Sequence, residues 1–118
     1  MHQSSERKIF VTGGLGFVGR HLCDGLLRDG HRVTASGRTR HPNFMIDHPQ
    51  FTYLAADTTQ RGSWQKRAAD SDVAINLAGK SIFTRWTRDA KKKIRDSRVL
   101  TTRNLAEALS TTKNAVLI

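Results

Sequence analysis

The sequence has 118 residues, the length of one ordinary domain. Basic residues outnumber acidic ones twenty to ten, and hydrophobic residues make up 37% of the chain, a low fraction that still allows a folded core. No apolar run approaches the length of a membrane helix. The single cysteine, Cys23, excludes a disulfide framework and a cysteine-based zinc site, and no metal site is predicted. The polar residues 1–6 do not fit a signal peptide, so we expect a flexible tail and a cytoplasmic location.

Short apolar segments alternate with amphipathic ones along the chain. The first helix is expected to bury Val18, Leu22 and Leu26, which lie four residues apart, and to end before a left-handed Gly30. The segment 39–50 contains both prolines and is predicted to be an irregular crossover. In chain order the predicted elements are a strand at 8–12, a helix at 17–29, strands at 31–36 and 51–56, a short helix at 60–69, a strand at 73–77, a long helix at 87–110 and a strand at 115–118.

This alternation predicts an α/β fold with right-handed crossovers and a parallel sheet. The expected architecture is a three-layer αβα Rossmann-type domain over residues 1–118, with strand order 3-2-1-4-5. An apolar strand at the end of the sequence, with nothing after it to cover its face, is unusual for a domain. The chain therefore looks like the first half of a larger fold, truncated after the fifth strand.

Glycines are concentrated between the first strand and the first helix. Gly13, Gly16 and Gly19 are spaced three apart. The first allows a tight turn out of the strand, the second lets a diphosphate approach the backbone, and the third allows close packing of the helix. The N-terminus of the helix then offers N–H groups to the phosphates. The pattern predicts a dinucleotide cradle, the alternative being a glycine-rich turn without a ligand.

The end of the second strand indicates which dinucleotide is bound. A carboxylate there would bind the ribose 2′-hydroxyl of NAD, but the nearest acids are Asp29 and Asp47. Ser36, Arg38 and Arg40 stand in that place. Because arginine pairs with a 2′-phosphate, we expect NADP(H) to be preferred over NAD(H), with Arg38 as the main ligand. The alternative is that Arg38 is a solvated loop charge.

Two further strand ends carry candidate contacts. Asp57 follows the third strand, where its carboxylate either accepts from the adenine amino group or caps the turn that follows. Small residues after the fourth strand, 76–79, would let the cofactor lie against the backbone. The candidate cofactor-binding residues are Gly13, Gly14, Leu15, Gly16, Phe17, Val18, Gly19, Ser36, Arg38, Arg40, Asp57, Asn76, Leu77, Ala78 and Gly79.

The combined motifs resemble the short-chain dehydrogenase/reductase superfamily, in particular its extended, epimerase-like branch. Residues 12–19 match the pattern T-G-x-x-G-F-[IV]-G, Asp57 matches the adenine-contacting acid, and 76–79 match the N-L-A-G segment. The motifs R-W-T at 85–87 and I-R-D-S-R-V at 94–99 resemble motifs of an atypical subgroup named for sugar nucleotide epimerases. The resemblance implies an oxidoreductase or epimerase that uses NAD(P).

The same resemblance implies that the catalytic groups lie elsewhere. In this family a serine and a Tyr-x-x-x-Lys motif follow the fifth strand, beyond the last residue of this sequence, and the one tyrosine, Tyr53, is followed four residues later by Asp57. We therefore expect cofactor binding with little or no turnover. Arg98 falls where the atypical subgroup places an arginine on the long helix, and the resemblance makes it a candidate catalytic residue. It joins an apolar stripe, so its head is either paired with a ligand or extended to solvent.

The long helix is also strongly basic. Between Lys80 and Arg103, nine basic residues face two acids. Such a charge can attract nucleic acid, but no recognition motif or aromatic platform accompanies it. The alternatives to an epimerase-like cofactor domain are therefore a non-catalytic nucleotide-binding or redox-sensing module and, with less support, a nucleic-acid-binding protein. The expected partners are the dinucleotide, a C-terminal substrate domain or a second copy of the chain, with no membrane.

Overall fold

The computed structural model describes residues 6–77, 88–110 and 115–118. All strand pairs in these residues are parallel, and the sheet order is β3-β2-β1-β4-β5, which confirms the predicted Rossmann-type topology. The strands and helices are β1 (Lys8–Thr12), α1 (Phe17–Arg28), β2 (Arg32–Gly37), β3 (Phe51–Ala55), α2 (Trp64–Ala69), β4 (Val73–Asn76), α3 (Arg88–Leu109) and β5 (Val116–Leu117).

Hydrophobic clusters lie on both faces of the sheet, because alternate residues of each strand point to opposite sides. On one face Ile9 and Val11 of β1 pack with Cys23 and Leu27 of α1. On the other face Phe10 packs with residues of α2 and α3, and its ring stacks on Trp64 at a centroid distance of 6.0 Å. The sheet is therefore the middle of three layers, as predicted.

The buried face of α1 differs from the predicted one. Its fully buried residues are Gly19, Cys23 and Leu27. Of the predicted row, Leu22 and Leu26 are partly buried and Leu26 packs against the core, whereas Val18 is 62% exposed. The sequence places two apolar rows side by side on this helix, and steric fit decides between them. A side chain at position 19 would overlap the Gly13 carbonyl oxygen, so the glycine turns inward and Val18 turns outward.

Two other segments refine the expected boundaries. The short helix begins at Trp64 rather than at 60, because residues 57–60 form a turn in which the Gln60 N–H donates to the Asp57 carbonyl over 3.1 Å. The crossover 39–50 contains no helix, as predicted. Gly30 has φ of +90°, which confirms its left-handed conformation after α1. Among the described helices, none is both long and apolar enough to cross a membrane.

Candidate cofactor-binding site

Two adjoining clefts lie over the carboxyl ends of the strands. Their volumes are about 390 Å³ and 290 Å³, and both touch the glycine loop and the end of β2. The chain leaves β1 for β2 on one side and reaches β4 on the other, which makes this edge the switch point of the sheet. Ligands of open α/β sheets bind at such a point. The lining residues that the two clefts share are Gly13, Gly16, Ser36, Gly37 and Arg38.

The glycine loop is fixed by close backbone contacts. The N–H groups of Gly13 and Gly14 donate to the Ser36 carbonyl over 2.8 and 3.3 Å, and Gly13 has φ of +69°. A Cβ on Gly14 would overlap the side chain of Ala35. One on Gly19 would lie 2.8 Å from the Gly14 Cα, so the close packing expected of Gly19 is against the loop itself. The cradle therefore depends on absent side chains, which is the feature that a dinucleotide loop requires.

The N-terminus of α1 faces the same clefts. Gly16 is the exposed residue that precedes the helix, and no acidic residue stands in the first turn. The unpaired N–H groups of a first helical turn attract anions. Leu15 lines the larger cleft, while Phe17 is 73% exposed and stacks edge-on against His21. The predicted anion-binding loop is thus open to a ligand on its helical side.

The residues after β2 separate into two groups. Ser36 is buried and holds the glycine loop through its carbonyl oxygen, and Arg38 is exposed and lines both clefts. Arg40 is exposed but lines neither cleft, and His41 lines the larger one. Of the two arginines offered as ligands for a 2′-phosphate, Arg38 is the one that the structure brings to the glycine loop.

Asp57 caps the turn that follows β3. Its carboxylate accepts from the Thr59 hydroxyl at 2.6 Å and from the Thr59 N–H at 3.0 Å, and the Arg38 guanidinium lies 3.6 Å away. The hydroxyl bond, followed by the N–H bond and the charge of Arg38, lowers the pKa of Asp57 against a partial opposing effect of burial. The capping role is therefore present, and the adenine contact stays a prediction.

The end of β4 is joined to β1 and α3 by side-chain hydrogen bonds. The Thr12 hydroxyl donates to the Asn76 Oδ1 at 2.7 Å, and the Asn76 Nδ2 donates to the Thr102 hydroxyl at 2.9 Å. Leu77 lines the smaller cleft. Asn76 therefore connects β4 to β1 and α3, it lines neither cleft, and its contact with the cofactor stays a prediction. Ala78 and Gly79 lie outside the described residues, as does the R-W-T motif at 85–87.

Arg98 is exposed on α3, whereas Thr101, Leu105 and Ala108 of the predicted stripe are buried. It borders a shallow groove with Val99, Thr102 and Arg103, none of which lines either of the two clefts. The guanidinium is therefore solvated, and its catalytic role remains a prediction. The Ile94 side chain lies outside the described part of α3.

Several contributors to the site were not predicted from the sequence. Tyr53 of β3 lines the larger cleft, as do Asn43 and Phe44 of the irregular crossover. The guanidinium of Arg20 lies 5.1 Å from the centre of the Phe44 ring and thereby joins α1 to the crossover. Such contacts leave no periodic pattern in a sequence. Cys23 is buried beneath the loop, and burial raises the pKa of its thiol to about 11, so it is not a reactive thiol at neutral pH.

Comparison with known proteins identifies the family. Residues 9–118 match the model of the NAD dependent epimerase/dehydratase family. The chain belongs to this family. The Epimerase family protein YfhF of Bacillus subtilis is 36% identical over 105 residues, which cover 89% of this chain and 33% of that protein. The chloroplastic SDR39U1 homolog of Arabidopsis thaliana is 29% identical over 92% of this chain and 31% of its own length.

Solved structures agree with the fold. A short chain dehydrogenase from Leptospira borgpetersenii with bound NAD+ superposes with a TM-score of 0.76 at 20% identity, over 99% of this chain and 54% of that one. The human epimerase family protein SDR39U1 with NADPH is 29% identical, with a TM-score of 0.62 over 92% of this chain and 34% of that one. The resemblance to the epimerase-like dehydrogenases is therefore confirmed, and the chain spans about a third of the length of the relatives it matches.

Proposed function

We propose that residues 1–118 form a cofactor domain that binds NADP(H) in preference to NAD(H). The observation that carries this proposal is the position of Arg38, an exposed cation that lines both clefts beside the glycine loop. Among the described residues, the ion-pair partner of Arg38 is the carboxylate of Asp57, which follows β3 rather than β2. A 2′-phosphate would therefore meet an arginine at the end of β2, where NAD-specific sites carry an acid.

The remaining contacts support the diphosphate part of the cofactor. The loop 13–16 and the open N-terminus of α1 would hold the two phosphates, and Ala56, Thr58 and Leu77 would line the adenosine side. NADPH is present in the human relative, and NAD+ is present in the bacterial dehydrogenase whose likeness extends to the fold alone. Of these two proteins, the one with the higher sequence identity contains NADPH, the cofactor that Arg38 also favours.

In a complete enzyme the cofactor would supply hydride transfer to or from a carbonyl or alcohol carbon. The part of that chemistry that belongs to these residues is binding and orientation at the carboxyl edge of the sheet. The substrate-binding and acid–base groups would come from a further segment or domain that these residues do not include. We expect the 118-residue chain to bind the cofactor and to turn over carbonyl substrates slowly or not at all.

Titration calorimetry with NADPH and NADH tests the proposal. The wild-type chain should bind NADPH more tightly, and Arg38→Ala should weaken NADPH by about tenfold to a hundredfold while leaving NADH unchanged, as expected for a lost charged hydrogen bond. Arg40→Ala is the matched control, because this exposed arginine lines neither cleft. Equal affinity of the wild type for the two cofactors would remove the proposed preference.

A further inference from the structure

We infer that Tyr53 is a positioning residue for cofactor selectivity, because it fixes the backbone on both sides of Arg38. The inference rests on the proposed NADP(H) preference. Tyr53 lies in β3, opposite Ala35 in the register of the sheet, and its side chain reaches along the neighbouring strand to the turn after β2. It touches the residue before Arg38 and the residue after it.

The first contact is a hydrogen bond. The Tyr53 hydroxyl donates to the Thr39 carbonyl oxygen at 2.6 Å, a short distance for an O–H···O bond. Burial raises the pKa of Tyr53, so the hydroxyl keeps its proton and remains a donor at neutral pH. Thr39 belongs to the irregular crossover, which forms no strand. This bond therefore connects the crossover to β3 at the edge of the sheet.

The second contact is steric. A Cβ on Gly37 would lie 2.6 Å from the Tyr53 hydroxyl oxygen and 3.3 Å from two ring carbons, so the ring packs directly against the backbone at this position. The Gly37 carbonyl also accepts from the Ala56 N–H at 2.8 Å. The carbonyl of Gly37, before Arg38, is therefore held by the residue after β3, and the carbonyl of Thr39, after Arg38, is held by Tyr53 of β3.

Fixing this backbone affects the Arg38 guanidinium rather than the glycine loop. An arginine on a free loop loses side-chain and backbone entropy when it pairs with an anion, whereas a fixed backbone has lost part of it before the ligand arrives. The 2′-phosphate is the one group that distinguishes NADPH from NADH. Tyr53 should therefore support NADPH binding without contributing to NADH binding.

A double-mutant cycle separates this role from a general structural one. Tyr53→Phe removes the hydroxyl and keeps the ring against Gly37. We expect it to weaken NADPH by about threefold to tenfold and to leave NADH unchanged, the range of one lost hydrogen bond. In the Arg38→Ala background the same change should have no effect on either cofactor, because the residue it positions is gone. Thr52→Val, which removes an exposed hydroxyl from the same strand, is the matched control and should change neither affinity.

Each other outcome overturns the inference. If Tyr53→Phe weakens both cofactors equally, or still weakens NADPH without Arg38, its role is structural. If the wild type prefers NADPH and Tyr53→Phe keeps the full preference, the positioning role is wrong and the proposed function stands. If the wild type binds neither cofactor, or binds both equally, the proposed preference fails first and the inference falls with it. Thermal melting of each variant, monitored by circular dichroism, verifies that the folded chain is being compared.

Discussion

The glycine loop and the crossover after β2 both line the larger cleft, but they are stabilised by different kinds of contact. The loop is defined by contacts that leave no room for side chains, such as the overlap that any side chain at Gly14 would make with Ala35. The crossover has no regular structure and is held by individual side chains: Tyr53 bonds to the Thr39 carbonyl, and Arg20 lies over Phe44. The shape of the site is therefore determined by backbone contacts in the glycine loop and by side-chain contacts in the crossover.

This difference predicts two kinds of response to mutation. An added side chain in the loop either collides with its packed neighbours, as at Gly14, or takes the space proposed for the diphosphate, as at Gly16. Its effect should therefore be large and should apply to every dinucleotide. A substitution that removes one side-chain contact to the crossover leaves the other contacts in place. Its effect on cofactor affinity should therefore be smaller and should depend on which part of the ligand the segment touches. The predictions below run from the first kind to the second.

The largest expected effect is on stability, at Gly19. A Cβ there would overlap the Gly13 carbonyl oxygen and lie 2.8 Å from the Gly14 Cα. Because these are backbone atoms, Gly19→Ala should destabilise the fold by about 1–3 kcal/mol, measured by urea unfolding. Gly25→Ala in the same helix is the matched control, since nothing lies within 4 Å of its Cβ, and it should stabilise the chain by about 0.4–1 kcal/mol. If Gly19→Ala is as stable as wild type, the loop is not tightly packed.

Gly16→Val should strongly weaken the binding of both cofactors while the fold survives. Gly16 is exposed, its φ of −70° and ψ of 176° suit any residue, and a Cβ would have only one neighbour, the Gly13 carbonyl oxygen at 3.3 Å. The branched side chain would fill the place of the diphosphate. NADPH and NADH should both bind on the order of a hundredfold more weakly, about 2.8 kcal/mol, by titration calorimetry. Normal binding by a folded Gly16→Val chain would mean that the phosphates lie elsewhere.

The smallest expected effect is the pH dependence of stability that Asp57, the ion-pair partner of Arg38 after β3, contributes. Its pKa is lowered in the folded chain by the Thr59 hydroxyl and N–H and by Arg38. Its contribution to stability is therefore full above the unfolded pKa of about 4 and is lost as the pH falls through the folded value. The melting temperature of wild type should exceed that of Asp57→Asn near neutral pH, and the gap should close in acid. Because the side chain is 43% exposed, the gap should be small, and a gap that widens in acid would contradict this assignment.

The sequence is sufficient to predict the features that depend on local backbone preferences. Strand order follows from the alternation of elements, and the glycine spacing locates the loop, because both depend on backbone preferences that each segment carries with it. The predicted buried row of α1 was only partly right, because Leu26 packs against the core but Val18 is exposed. Two apolar rows lie side by side on this helix, and the contact of Gly19 with the loop turns the neighbouring row inward. Helical periodicity alone does not contain that contact.

The parts of the site that escaped prediction depend on pairs distant in the chain. Tyr53 reaches Thr39 across the sheet, and Arg38 meets Asp57 from the neighbouring strand end. Arg38 and Asp57 were both expected as ligand contacts, but their ion pair was not. Neither contact follows a period or a motif, because each depends on the register in which β2 and β3 pair.

The central claim is that the diphosphate of NADPH lies against the glycine loop and accepts from backbone amides at the start of α1, since the amides of Gly13, Gly14 and Gly16 already donate to carbonyl oxygens of the protein. Titration of NADPH into the 15N-labelled chain, followed by amide chemical shifts, tests it most directly. The account predicts that the largest shift changes fall on residues 13–18, with further changes at Arg38. Unchanged amides in the loop, together with shifts clustered around Arg98 and Arg103 on the exposed face of α3, would contradict it.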